Sequence, residues 1–346
     1  CFIKFIGAVM ASHAKKNTVT AQFQIIAFLI TTILLSAIFY YPFVTFYGFD
    51  DLPKVKEFST QVSSNNPTVN MGLLINNFSE FKIEEGQFVF EGSVWFQYDP
   101  KKISLEKIKQ FHLINGEIKT ISAPDVRKVG DDEIAQFEII ASLKNNLNYS
   151  AFPLDDHYIS IGIFNYALPD GTVVSSELND FDLDPSLHIP GWKILSRQLK
   201  IGYVDRIFGK KDLQGTEEVR AFFILQCKRT HPVFLITIIL SLMIIILIAM
   251  LPFAIEEYSG DLISGAIGGI VAFRFVLAAM APTHVGYFMI SDYLFIISLI
   301  AVISAVLGCI ISRQANLDSS KQNYIIIGIY TFVIICSMAS LFVNIS

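Results

Sequence analysis

Charge is the scarcest property of this sequence. Its 346 residues carry 26 Lys and Arg against 31 Asp and Glu, 16% in all, while 53% are hydrophobic. A soluble domain so poor in charge would leave much apolar surface in water, so the composition excludes an ordinary soluble protein and points to a membrane protein. The net charge of −5 gives no electrostatic footprint for nucleic acid, which is excluded as a partner. Cysteine is nearly as scarce. Of Cys1, Cys227, Cys309 and Cys336, only Cys227 falls in the long polar middle of the chain, so no disulfide framework is available there. For a region outside the membrane, that favours a prokaryotic protein. The recurrent motifs of enzymes are missing too: H-E-x-x-H, C-x-x-C, G-x-S-x-G and phosphate-binding glycine loops do not occur, and the six histidines lack ligand spacing. The S-x-x-K at Ser104–Lys107 stands without its partner motifs. The chain therefore reads as a non-enzyme with no cofactor and no metal site.

What the sequence does have is long apolar runs. Five windows, Ile25–Phe43, Pro232–Ile255, Leu262–Ala281, Tyr293–Ser312 and Tyr324–Val343, reach the length of about 20 residues that crosses a hydrocarbon layer of about 30 Å. The first is longer than the apolar core of a secretory signal and has no A-x-A site after it, which makes it an uncleaved helix. Lys15 and Lys16 precede this window, and Arg313 and Lys321 lie between the last two. The positive-inside rule puts both sites on the inner side, and five spans satisfy both. The expected organisation is a cytoplasmic segment 1–24, an extra transmembrane helix 25–43, a connector 44–66, an external domain 67–230, and four transmembrane helices in 231–346. A start at Cys1 followed by "CFIKFIGAVMAS" suggests a fragment of a longer polypeptide. The protein is expected to be multi-pass in the plasma or inner membrane, with its external domain outside or in the periplasm.

In the external region the hydrophobic period changes to two. Along "QFVFEGSVWFQY" the residues Phe88, Phe90, Val94, Phe96 and Tyr98 alternate with Glu91, Ser93 and Gln97, the pattern of a strand with one buried face. Similar runs recur at "VNMGLLINNF", "EIAQFEIIASL", "YISIGIFNY", "WKILSRQLKIGYV" and "EVRAFFILQCK". Turn-forming stretches at Glu85-Gly86, Asn115-Gly116, Gly130-Asp131, Pro169–Gly171, Pro190-Gly191 and Gly209–Gly215 separate them. Short strands at this spacing predict an immunoglobulin-like β-sandwich.

The order of parts, and four local motifs, carry a family resemblance. "VNMGLLINNFSEFKIEEGQFVFEGSVWFQYD" resembles the first two strands of the pentameric ligand-gated ion channels, the Cys-loop receptor superfamily, including its tryptophan at Trp95. "FPLDDHYISIGIFNY" resembles the Phe-Pro-x-Asp loop at the membrane end of that family's sandwich. "KRTHPVFLI" is similar to the basic-then-proline start of the first pore-domain helix, and "APTHVGYFMISDYLFI" to the linker between the second and third. The resemblance covers residues 67–346. The chain departs from the family in its extra first helix, in Thr230 and His231 between Arg229 and Pro232, and in lacking the paired cysteines, as prokaryotic members do.

The resemblance implies a homopentamer around a central pore, opened by an unknown small-molecule or ion agonist bound between subunits. It implies an aromatic ligand site at Phe164, Tyr166 and Tyr203, since aromatic walls hold amines by cation–π contact. It also implies coupling residues at Asp155, Arg229, Pro282 and Tyr287, with Asp155 meeting Arg229 and the 283–292 linker. On a helix over 262–281, Ile263, Ile267, Ile270, Arg274 and Leu277 form one stripe, opposite the small residues Gly265, Gly268, Gly269, Ala272 and Ala279. If the small face packs against other helices, the isoleucine stripe lines the pore, with Ile267 and Ile270 as a dewetting gate. Arg274 then faces water, where its charge is tolerated, and five copies would favour anions. Glu256, Glu257 and Asp261 at the inner mouth argue for cations, and the balance leans slightly to anions. The alternative reading is a non-conducting, membrane-anchored sensor or assembly subunit that keeps the same fold. Besides other copies of itself, the lipid bilayer is its expected partner.

Overall fold

The computed structural model describes residues 16–45, 50–56, 66–169, 171–205, 217–282 and 285–345. The chain divides into two compact units. A helical unit comprises 1–47, 149–155 and 231–346, and a β-rich unit comprises 48–148 and 156–230. The division lies close to the expected boundary at residue 230. One short segment departs from it: Tyr149–Asp155, in the middle of the β-rich sequence, belongs to the helical unit.

The β-rich unit holds eleven strands among the described residues: β1 (Thr68–Lys82), β2 (Gln87–Tyr98), β3 (Phe111–Leu113), β4 (Gly116–Ile121), β5 (Asp125–Val129), β6 (Asp132–Lys144), β7 (His157–Asn165), β8 (Val173–Ser175), β9 (Phe181–Leu183), β10 (Trp192–Asp205) and β11 (Glu217–Arg229). One sheet runs β4-β6-β2-β1-β8, with β5 also on β6 and β9 also on β1, and the other runs β10-β11-β7-β3. The six long strands are the six read from period-two patterning. The short ones were not legible, because three to six residues cannot display a period. The even residues of β2, Phe88, Phe90, Val94, Phe96 and Tyr98, are all buried, and Phe96 packs against Phe111 and Phe137 in the core. The Tyr98 hydroxyl donates to Glu133 at 3.0 Å. Burial, then that carboxylate, push its pKa up to about 12. Gly86, Gly130, Gly171 and Gly191 have positive φ at four of the expected turns. The expected turn at Gly209–Gly215 lies outside the described residues.

The helical unit contains α1 (Lys16–Val44), α2 (Val233–Met250), α3 (Ser259–Met280), α4 (Ile290–Gln314) and α5 (Ser319–Ile345). All five are long and apolar enough to cross a membrane. The helix α2 contacts α1, α3 and α4, while α5 packs on α1 and α4. In α4 the buried stripe Ser298, Ala301, Ala305, Gly308 and Ser312 is small, which lets backbones approach closely where lipid offers no hydrophobic drive for association. A Cβ on Gly308 would come within 3.0 Å of Ile325 and 3.2 Å of Phe253. The extra helix α1 is integral to this unit. Ala21, Gln24, Thr31, Leu35 and Phe39 form its buried stripe, while Ile26, Leu29, Ile30 and Ile33 point outward. The buried Gln24 amide donates to the Met250 carbonyl at 3.0 Å, fixing the register of α1 against the end of α2.

Candidate functional site

The segment Tyr149–Asp155 contains the sequence Phe152-Pro153-Leu154-Asp155, and its Phe152–Pro153 peptide is cis. Phe152 is 1% exposed and packs near Phe234 on α2, with ring centroids 6.4 Å apart. Its backbone meets the region between α3 and α4 at three points. The Tyr149 N–H donates to the Tyr287 hydroxyl at 2.8 Å. The Ile290 N–H donates to the Ser150 carbonyl at 3.0 Å, and the Ser291 N–H to the Phe152 carbonyl at 3.1 Å. The first N–H groups of a helix have no partner within it, so two carbonyls of this segment act as the cap of α4.

Asp292 completes that cap and extends it. One carboxylate oxygen accepts from the Met289 N–H at 3.1 Å, and the other accepts from Arg274 Nη1 at 2.7 Å. The Arg274 guanidinium also lies 5.4 Å from the Phe295 ring centroid. A continuous series of contacts thus runs from the segment, through the start of α4, to Arg274 of α3. Tyr287, one of the expected coupling residues, joins this series through its hydroxyl. The buried Pro282 follows the last turn of α3, and Thr283 and His284 lie outside the described residues.

The other expected coupling residues lie in separate units. Asp155, 1% exposed, belongs to the helical unit, and Arg229 to the β-rich unit. The Arg229 N–H donates to the Asp156 carboxylate at 2.9 Å, and its guanidinium stands 4.5 Å from the Trp192 ring centroid. Cys227, on the same strand, is fully buried. Burial first, and then the charges of Asp156 and Asp50, raise its thiol far above the ordinary range. Its contribution to stability is therefore intact below the unfolded thiol's pKa of about 8.5, and is lost progressively as pH rises from there through the folded value. Cys227 should react with a maleimide on the order of a hundredfold more slowly in the folded protein than after denaturation. Labelling rates followed by mass spectrometry check this.

The aromatic candidates separate into a cluster and an outlier. Phe164 and Tyr166 form an edge-to-face pair at 4.5 Å. His112 joins them, 5.6 Å from Phe164 and 5.8 Å from Tyr166, so the site is a three-ring surface group. Sequence reading missed His112 because β3 is too short to show a face; the strand pairing His112↔Phe164 is what brings it there. Tyr203 is on β10, with β11 between it and β7, and bridges backbone to backbone with Lys56 at 2.9 Å in both directions.

The expected pore stripe is split by the fold, which corrects the reading of α3. Ile270 and Leu277 are 2% and 1% exposed and face the chain's own helices, together with Ala266 and Phe273. Ile267 and Arg274 lie on the flank and are exposed, and Ile263 is half-buried. The open face carries Asp261, Ser264, Gly268, Val271, Phe275 and Ala279. A Cβ on Gly265 or Gly268 would touch nothing within 4 Å, so these two are turned away from this chain's bundle, whereas one on Gly269 would sit 3.3 Å from Ile245. Periodicity could not separate these two environments because isoleucine is as suited to a helix core as to a lumen. Glu256, Glu257 and Asp261 are exposed.

No family model and no curated protein matches this chain. Among the described residues, no group of three or more His, Cys, Asp and Glu is placed to hold a metal ion.

Proposed function

We propose that this chain is a subunit of a homopentameric ligand-gated ion channel in the plasma or inner membrane, with an immunoglobulin-like external domain. The observation that supports it most is the capping of α4 by the Ser150 and Phe152 carbonyls, continued through Asp292 to Arg274. A movement of Tyr149–Asp155 changes the cap, the cap carries Asp292, and Asp292 pulls on α3. That is a mechanical path from a loop in the sequence of the external domain to a helix with an open face. The His112, Phe164 and Tyr166 cluster offers aromatic faces to an organic cation.

The pore in this reading is fronted by the open face of α3 and not by Ile270 and Leu277. Arg274 is paired to Asp292 within the chain, which neutralises the positive ring that would favour anions. The exposed Glu256, Glu257 and Asp261 then dominate one mouth, and the expected selectivity is for cations.

Native mass spectrometry in detergent, paired with cation flux into proteoliposomes after an acid jump or addition of tetramethylammonium, tests the reading. Five copies and a flux abolished by His112→Ala with Tyr166→Ala for the tetramethylammonium arm are expected. Any stoichiometry other than five would remove the channel reading.

A further inference from the structure

The Tyr149–Asp155 segment leaves the β-rich unit after Asn148 and returns to it at Asp156. One side chain holds both sides of that excursion. The Asp50 carboxylate accepts from the Asn148 N–H at 2.5 Å and from the Tyr158 N–H at 2.8 Å. His157 Nδ1 lies 3.1 Å from its second oxygen. These atoms all belong to the β-rich unit, and the two side chains are 3% and 0% exposed. Asp50 comes from the connector that follows α1, and lies 98 and 108 residues from the amides it holds.

The rest of the neighbourhood fixes this carboxylate in place. The His157 ring lies 5.9 Å from that of Trp192, which carries the Arg229 guanidinium on its ring. Farther along, the connector is fastened again by the Lys56–Tyr203 bridge. Gly202 allows that approach, since a Cβ there would sit 2.3 Å from the Lys56 carbonyl oxygen. A buried carboxylate that accepts several N–H groups makes strong, charge-assisted bonds, and removing it leaves those donors unpaired.

We infer that Asp50 is a positioning residue for the α4-capping segment. By gathering Asn148 with His157 and Tyr158, it closes the base of the excursion and sets how the Ser150 and Phe152 carbonyls are presented to Ile290 and Ser291. The connector is then a built-in control element of this segment. The consequence for gating rests on the channel reading, whereas the clasp itself does not.

Amide hydrogen exchange of the full chain in lipid nanodiscs tests the inference without any need for current. In Asp50→Ala, exchange at Asn148 and Tyr158 should rise about tenfold or more, as expected for loss of charge-assisted bonds. Ile290 and Ser291, which Asp50 does not touch, should also speed up by several fold. Peptides from β2 and β6 should not change. Asp50→Asn, which keeps one acceptor oxygen, should give intermediate rates, and it serves if the alanine variant fails to fold. Faster exchange confined to Asn148, His157 and Tyr158 would overturn the positioning role, as would unchanged rates throughout. If Ile290 and Ser291 respond but the protein carries no flux and is not pentameric, the inference stands and the channel reading falls.

Discussion

Asp292→Ala should destabilise the helical unit by about 2 kcal/mol and, in the channel reading, uncouple ligand from pore. About 1 kcal/mol comes from the lost acceptor at the α4 cap. The remainder comes from the pair with Arg274, which is discounted because the Arg274 side chain is 51% exposed, although that of Asp292 is only 14% exposed. The Arg274→Leu background separates these contributions. There Asp292→Ala should lose only the cap, about 1 kcal/mol. Denaturant titrations in detergent of the four proteins of this cycle give the coupling energy. An equal loss in both backgrounds would mean that the ion pair contributes nothing.

The second large effect concerns which way α3 faces. Ile270→Ala should cost about 2–4 kcal/mol, because a buried isoleucine leaves a cavity among helices that relax only partly. Phe275→Ala, at a side chain 73% exposed, should leave the stability of a single chain nearly unchanged. A cysteine scan adds the functional readout. Thiols at Ser264, Gly268 and Phe275 should react with a water-soluble methanethiosulfonate in the assembled protein, while one at Ile270 should not. Fast reaction at Ile270 with slow reaction at Phe275 would restore the isoleucine face as the lumen.

Arg274 illustrates how far reading alone could go. Its cost in lipid was plain from the sequence, and so was the need for a partner or water. Its partner, Asp292, is 18 residues away across a turn between two helices, and nothing in the local pattern of α3 pointed to it. Asp50 is a stronger case. It was one acid in a connector with no periodicity, and its role depends on amides 98 and 108 residues farther along the chain.

The sequence by itself determined the five apolar helices, the six long strands and most of the turns with positive φ. These are local properties: length against the hydrocarbon layer, a period of two with one face buried, and glycine where the backbone needs it. Tertiary structure alone decided the inward face of α3, the company of Arg274, the third ring at His112 and the clasp at Asp50. The physical reason is the same in each. In an apolar helix, core, lipid and lumen can all accept the same aliphatic side chains, so only neighbouring helices distinguish the faces. A short strand or an isolated carboxylate acquires its partners only when distant backbone is brought to it.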